Sequence, residues 1–146
     1  MIDISTHEIH LHTEGFNQIF DITNEIQQIL DESEYIEGQI TVFCPGSTGG
    51  ITNIEYEPGL LRDLPEFLET IIPMKKSYHH DDTWHDGNGY AHLRSALIKP
   101  HFTVPFSQNR LLLGTWQQII FIDFDNKSRR RELIVQILGK KKQTGK

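Results

Sequence analysis

The sequence predicts an α+β fold in which two helices pack against a mainly antiparallel sheet. Two segments repeat apolar residues at intervals of three and four, which is the period of an amphipathic helix. Several other segments alternate apolar and polar residues, which is typical of strands. The chain has 146 residues and no internal repeat or low-complexity segment. We therefore expect one domain over residues 1–139 and a basic, flexible tail over residues 140–146.

The first half of the chain contains both predicted helices. The first covers residues 23–33, where apolar residues fall on one helical face. The second begins near Pro58, a residue that is tolerated in a first helical turn, and ends before Pro73. Pro65 lies inside this helix and should kink or divide it. The predicted strands of this half are residues 2–12, 16–22, 39–43 and 51–56.

The second half of the chain is predicted to be mostly strand. Residues 102–106 and 110–113 flank a short polar turn, so they indicate a β-hairpin. Residues 114–124 form a longer strand with apolar side chains on both faces near its middle. Residues 91–97 are apolar enough for a strand or a short helix. Residues 131–138 alternate and form the last strand.

Composition excludes some classes of protein. The formal net charge of −6 at pH 7 argues against nucleic acid as the main partner. No segment approaches the roughly 20 consecutive apolar residues that span a bilayer, and the first ten residues lack the pattern of a signal peptide. The single cysteine, Cys44, excludes an internal disulfide and suits a reducing compartment. We expect Cys44 to be a small buried residue and the protein to be cytoplasmic.

Residues 78–92, here called the histidine segment, read YHHDDTWHDGNGYAH. Their first twelve residues show no apolar period, which predicts a loop. Imidazole and carboxylate groups are common ligands of zinc and similar metals. His80 and His92 could meet if the segment folds back, and Asp86 could be a third ligand or could orient a histidine. The alternative is a solvated polar loop without a ligand.

Residues 45–50, PGSTGG, form the glycine-rich turn between two predicted strands. Such a turn can present backbone N–H groups, and the hydroxyls of Ser47 and Thr48, to a phosphate. It is not a P-loop, because the lysine and the following helix are missing. The alternative is a bulged β-turn with no ligand.

Two further groups of polar residues are candidates. Thr115 and Gln117 share one face of a predicted strand, opposite Trp116. They could line a site or only hydrogen-bond to neighbouring strands. Glu55 ends another strand, where its carboxylate could be a general base, a metal ligand or a surface charge.

Four stretches of the chain resemble the YjbQ family, also called the secondary thiamine-phosphate synthase enzyme family. They are residues 45–59, 78–92, 110–125 and 129–139, so the resemblance covers nearly the whole chain. It implies a compact α+β fold with a mixed, strongly curved sheet, and a homotrimer. It also implies weak thiamine-phosphate synthase activity, which joins a pyrimidine methyl diphosphate to a thiazole phosphate and releases diphosphate.

The resemblance also implies a set of site residues. The polar positions of the family motifs correspond here to Glu55, His80, Asp86, Asn88, His92, Thr115 and Gln117. One departure is Gly46, where many members carry a histidine. A site with three histidines is therefore not expected, although His79 or His85 could compensate.

The leading hypothesis is an enzyme that acts on a phosphorylated small molecule. Catalysis is assigned to Glu55, Asp86 and the pair His80 and His92, and this pair also binds a divalent metal such as zinc, or the diphosphate. Arg62 and Arg94 are the nearest cationic candidates for the diphosphate. The substrate is held by Ser47, Thr48, Asn88, Thr115 and Gln117.

Two other hypotheses remain. The protein could be a non-catalytic oligomeric module that binds a metal or an anion. It could also be a structural oligomer whose histidine segment only seals a subunit interface.

Overall fold

The computed structural model describes residues 1–143 of the chain. Four helices pack on a curled antiparallel sheet, which confirms the predicted α+β class and adds two helices to the predicted two. The elements in chain order are β1 (Ile2–Thr13), β2 (Gln18–Asp21), α1 (Thr23–Asp31), β3 (Tyr35–Phe43), β4 (Gly49–Ile54), α2 (Pro58–Ile71), α3 (His79–Trp84), α4 (Gly89–Ile98), β5 (His101–Ser107), β6 (Arg110–Leu111), β7 (Gln118–Asp123) and β8 (Arg129–Lys141).

The strands form two hydrogen-bonded sheets. The first, here called the five-stranded part, has the order β1-β8-β3-β5-β6, and the second, the three-stranded part, has the order β2-β7-β4. Every strand pair among residues 1–143 is antiparallel, so the parallel pairing that a mixed sheet would contain does not occur there. The predicted hairpin is confirmed as β5 and β6, which pair from Phe106↔Leu111 to Ser107↔Arg110.

Strand β7 is buried on both faces, which explains its apolar content on both sides. Ile119 and Phe121 belong to a core between the five-stranded part, α1 and the three-stranded part. Ile120 and Ile122 belong to a second core beneath α2 and α4. Because alternate side chains of a strand point to opposite faces, this one strand organises both cores.

The two long amphipathic helices form as predicted. Helix α1 buries Ile26 and Leu30. Helix α2 starts after Glu57, whose carboxylate accepts hydrogen bonds from the backbone N–H groups of Gly59 and Leu60. It continues through Pro65 to Ile71 as one element.

The prediction that the histidine segment is a loop was wrong. It contains α3 and the start of α4, joined by a turn in which His85 has a left-handed backbone, with φ 56°. Helix α3 has six residues and none of them is buried, so it has no apolar period that the sequence could reveal. The Asp81 carboxylate accepts a hydrogen bond from Gly89 N–H at 3.0 Å and so ties the two helices together.

Several predicted boundaries differ from the structure; β3, for example, begins at Tyr35 rather than at residue 39. Residues 114–117 form a turn rather than strand: the backbone N–H of Gln117 donates to Gly114 O at 3.0 Å, and its side chain accepts from Gly114 N–H at 2.8 Å. At the other end, β8 extends through Lys140 and Lys141, which pair with β1 and β3. Residues 144–146 of the predicted tail lie outside the described part of the chain. No helix within residues 1–143 is long and apolar enough to cross a membrane.

Candidate functional site

The glycine-rich turn and the histidine segment meet at the carboxylate of Asp125. The Thr48 hydroxyl donates a hydrogen bond to one carboxylate oxygen at 3.1 Å, and the Asn88 amide donates one to the other at 3.2 Å. Asp125 is 1% exposed and lies just after β7. The glycine-rich turn and the histidine segment, whose donors Thr48 and Asn88 are 40 residues apart in sequence, therefore bind the same buried carboxylate.

Two arginines of β8 complete this network. Arg129 Nη1 donates to Asp125 at 2.6 Å and to the Thr48 hydroxyl at 3.2 Å. Arg131 binds Asp123 through Nε at 2.8 Å and Nη2 at 2.9 Å, and its Nη2 also reaches the Thr48 hydroxyl at 2.8 Å. The Thr48 hydroxyl thus donates one hydrogen bond and accepts two, which uses its full capacity. Its predicted bond to a phosphate oxygen stays a prediction, and would require one of these bonds to be given up.

Asp125 is held ionised by its partners. Burial by itself raises the pKa of Asp125, but hydrogen bonds from Asn126 N–H, Asn88 and Thr48 and the charge of Arg129 outweigh it. The pKa of Asp125 is therefore lowered from its ordinary value. A fixed negative charge lies beneath the histidine segment at neutral pH.

The predicted histidine pair is brought together. The rings of His80 in α3 and His92 in α4 lie with their centroids 4.2 Å apart and their planes inclined by 36°. Burial lowers the pKa of His92, and the nearby His80 lowers it further, against the opposing charges of Asp125, Asp86 and Asp81. His92 is therefore neutral near pH 7, which leaves one ring nitrogen as an acceptor or ligand.

His80 carries the feature that best fits a metal. Its Nδ1 is buried and makes no hydrogen bond within residues 1–143, while carboxylate oxygens of Asp81 and Asp86 each lie 3.7 Å away. One ligand atom from each of these three residues lies within 4.8 Å of the others. A nitrogen and two carboxylate oxygens suit zinc or a similar divalent ion. The residues whose ligand atoms converge thus include Asp81 and do not include His92. Asp81 was not predicted from the sequence, although it follows His80 directly.

A cleft of about 300 Å³ opens beside the histidine pair. A larger hollow of about 440 Å³ lies near Tyr35, but it contains no histidine. A third hollow, of about 450 Å³, contains His10 and His12, but neither has a buried ring nitrogen that lacks a partner within residues 1–143. The smaller cleft is the better candidate for a reacting ligand, because it borders the buried, unpartnered Nδ1 of His80. It is lined by Tyr78, His79, His80, Gly89, His92 and Leu93.

Three predicted site residues lie elsewhere. Glu55 follows β4 and Gln117 precedes β7, and Ile54 and Gln118 pair at that end of the two strands. The histidine segment meets the opposite end, roughly 20 Å away along β7 at about 3.3 Å per residue. Glu55, Thr115 and Gln117 are all exposed, so one chain does not bring them to the histidine pair.

The remaining predicted residues are placed as follows. Ser47 is exposed beside Thr48, and Asp86 is 47% exposed. Asn88 is buried and its side-chain oxygen has no hydrogen-bond partner within residues 1–143. Cys44 is 1% exposed, as expected, and burial raises the pKa of its thiol.

The two arginines that were candidates for binding diphosphate do not reach the site. Arg94 is fully buried and donates hydrogen bonds to Ile72 O at 2.7 Å and Glu69 at 2.7 Å. Arg62 is 82% exposed beside Glu66. Cationic groups near the site include Arg129 and Arg131 of β8, and Lys76, whose Nζ lies 5.5 Å from the ring centroid of the cleft residue Tyr78. The sequence signal for the two arginines is their alternation along β8, soon after Asp125.

A family model described as "UPF0047 protein YjbQ-like" matches residues 7–140. A UPF0047 protein of Archaeoglobus fulgidus is 35% identical over 127 residues, which are 87% of this chain and 97% of that protein. The UPF0047 protein YugU of Bacillus subtilis is 30% identical over 132 residues, which are 90% of this chain and 97% of that protein.

Solved structures are similar over nearly the full length. A YbjQ-like protein of unknown function from Sulfolobus solfataricus has a TM-score of 0.90 at 27% identity, with 96% of this chain and 100% of that chain covered. An uncharacterised conserved protein of Clostridium acetobutylicum has a TM-score of 0.81 at 35% identity, with 90% and 98% covered.

Proposed function

The chain belongs to the UPF0047 family of YjbQ-like proteins, and from this premise we propose that it is an enzyme acting on a phosphorylated small molecule in the cleft beside His80 and His92. The observation that carries the proposal is the unpartnered, buried Nδ1 of His80 beside the carboxylates of Asp81 and Asp86. A buried polar atom without a partner is costly, and such atoms are common at functional sites.

His80, Asp81 and Asp86 are the residues that would hold a divalent cation such as zinc. Bound there, the cation would supply positive charge to a phosphate or diphosphate leaving group. The two carboxylates already lie 3.7 Å from His80 Nδ1, so small side-chain movements would complete the set of ligands. These three residues are the metal ligands that we propose, and His92 lies beside them without being a ligand.

The other residues of the cleft position the reacting groups. His92 is neutral near pH 7, and its uncharged ring can accept a proton from a substrate group in the cleft. Asn88 is the residue that precedes α4, and its backbone carbonyl oxygen accepts a hydrogen bond from the backbone N–H of His92 at 3.3 Å. Because Asp125 holds the Asn88 amide, Asp125 fixes the first turn of α4 and thereby the position of His92.

A thiamine-phosphate synthase reaction is the specific chemistry that we propose to test. In that reaction the thiazole nitrogen forms a bond to the methylene carbon of the pyrimidine, and the bond from that carbon to the diphosphate oxygen breaks. The bonding electrons leave with the diphosphate, so stabilising its charge is the main electrostatic demand. The charge of a divalent cation held by His80, Asp81 and Asp86 would meet this demand.

The test combines metal content with turnover. Untagged wild-type protein should contain near-stoichiometric zinc or a similar metal and release diphosphate from the two thiamine precursors. His80→Ala should lose both, and His92→Ala should lose turnover. His101→Ala is the control, because His101 is exposed on β5 and does not line the cleft. Wild-type activity in His80→Ala would refute the proposed site.

A non-catalytic module that binds a metal or an anion is the second candidate. It is favoured by the engagement of Thr48 and Asn88, whose side chains already bind Asp125 and leave fewer groups for a substrate. This candidate predicts metal binding that depends on His80 without turnover of any phosphorylated compound. Turnover by wild type that is lost in His80→Ala would exclude it.

We also propose that the protein forms a homotrimer. Large apolar side chains are exposed, including Trp116 at 70% and Trp84 at 69%, and such side chains often mark interfaces. In a trimer, the group of Glu55, Thr115 and Gln117 from one protomer could complete the cleft of the next. Light scattering after gel filtration measures the mass, and a monomeric mass would refute the proposal.

A further inference from the structure

Two guanidinium groups lie side by side over the glycine-rich turn. Arg129 and Arg131 are two residues apart on β8, so their side chains point to the same face. Both donate to the Thr48 hydroxyl, at 3.2 Å and 2.8 Å. Arg130, between them, points to the other face and is exposed.

Arg131 retains an unused donor that faces the turn. The residue is 5% exposed, and its Nε and Nη2 bind Asp123 and Thr48. Its Nη1 makes no hydrogen bond to any residue of the described chain. A Cβ built on Gly46 would lie 3.4 Å from this Nη1 and within 4 Å of nothing else. The space beside Gly46 is therefore open, and a buried guanidinium borders it.

The turn itself has free donors. The backbone N–H groups of residues 46–48 donate no hydrogen bond within residues 1–143. Gly46 has φ +109°, a conformation that a side chain rarely adopts, so the turn depends on glycine there. Consecutive free N–H groups in a turn form a common anion-binding arrangement.

Arg129 supplies the accessible cation. Its side chain is 39% exposed, and only Nη1 is engaged among the described residues. A guanidinium bound to a carboxylate on one edge can still bind a phosphate with its other edge. Asp123 and Asp125 offset much of the positive charge, so we expect modest affinity.

We propose that Arg129, Arg131 and the backbone of residues 46–48 form an anion-binding site that takes a phosphate group of the substrate. Asp125 accepts hydrogen bonds from Arg129 on one oxygen and from Asn88 on the other, which places this site next to the histidine segment. The identity of the anion as a substrate phosphate rests on the proposed function, whereas the existence of the site does not.

The experiment is a calorimetric titration of the full-length, metal-free protein with inorganic phosphate and, separately, with inorganic diphosphate. Wild type should bind, and Arg129→Gln should weaken binding by about tenfold or more, because it removes a charge-assisted contact. Arg130→Gln is the matched control and should bind as wild type does. Ser47→Asp places a negative charge on the exposed turn without touching the buried network, and should also weaken binding.

The outcomes separate this proposal from the proposed function. Unchanged affinity in both Arg129→Gln and Ser47→Asp, or no binding by wild type at millimolar phosphate, overturns the anion site. Phosphate binding that is lost in His80→Ala and kept in Arg129→Gln also overturns it, because the anion would then lie at the histidine pair rather than at the turn. Phosphate binding that is lost in Arg129→Gln and retained in His80→Ala supports the anion site, even where the wild-type protein shows no turnover.

Discussion

Removal of the Asp125 carboxylate should separate the two stretches that it joins. In Asp125→Ala, the Asn88 amide and the Thr48 hydroxyl lose their acceptor while they remain buried, at 7% and 3% exposure. Arg129 loses an ion pair of 2.6 Å, but its side chain is 39% exposed and can be rehydrated. The cost should therefore come mainly from the two buried donors.

The magnitude follows from these contacts. A buried donor without a partner costs about 1–3 kcal/mol, and an exposed ion pair is worth about 0–1 kcal/mol. We expect Asp125→Ala to lower the free energy of unfolding by about 4 kcal/mol. Asp125→Asn should cost about half as much, because the unpartnered Asn88 side-chain oxygen can turn to accept from the new amide.

The assay is urea unfolding at one fixed protein concentration, because oligomerisation would otherwise shift the apparent stability. Asp82→Ala, which removes a carboxylate that is 75% exposed, is the control and should leave the midpoint unchanged. The role assigned to Asp125 would be refuted by a loss of less than about 1 kcal/mol in Asp125→Ala, or by equal losses in the alanine and asparagine variants.

Three other predictions concern His92, Arg94 and Gly139. The pKa of His92 should lie below 6.5 in an NMR titration and should rise toward 6.5 in His80→Ala. The contribution of His92 to the free energy of unfolding should be full above pH 6.5 and should fall as the pH drops toward the folded-state pKa, because the unfolded chain takes up the proton first. An unchanged pKa of His92 in His80→Ala would contradict this. Arg94→Ala should lower the free energy of unfolding by about 3 kcal/mol, because it empties a fully buried site and leaves the Ile72 carbonyl oxygen without its two donors. The metal content of the folded fraction should be unchanged, and loss of metal would mean that Arg94 acts in the site. Gly139→Ala should lower the urea midpoint strongly, because its Cβ would collide with the carbonyl oxygen of Glu37; a wild-type midpoint would show that the strands can separate there.

Sequence periodicity was informative where side chains are buried on one face. Helix α1 and the strands of the five-stranded part bury one face each, so their apolar residues recur at the period of the element. Helix α3 buries no side chain, and the helical structure of the histidine segment was therefore missed. The turn at residues 114–117 was also missed, because hydrogen bonds between Gly114 and Gln117, rather than an apolar pattern, close it.

Most residues of the candidate site could be predicted from the sequence, whereas their hydrogen-bond partners could not. His80, Asp86 and His92 were named from one segment, and the structure brings the two histidine rings together. Asp125 and Arg129 were missed as site residues because a carboxylate after a strand and an arginine at the start of the next look like an exposed turn. Their burial depends on the packing of α4 and the glycine-rich turn against the end of β7.

The α+β class, the two amphipathic helices, the hairpin and the concentration of ligand-forming groups at residues 78–92 were all predictable from the sequence, because local periodicity and residue chemistry act over short stretches. Which polar groups share a partner depends instead on how distant stretches pack together. Thr48, Asn88, Asp125 and Arg129 are brought together by strand pairing and by the burial of one charge. Strand β7 likewise holds Gln117 away from His92, since an extended strand has a fixed rise per residue.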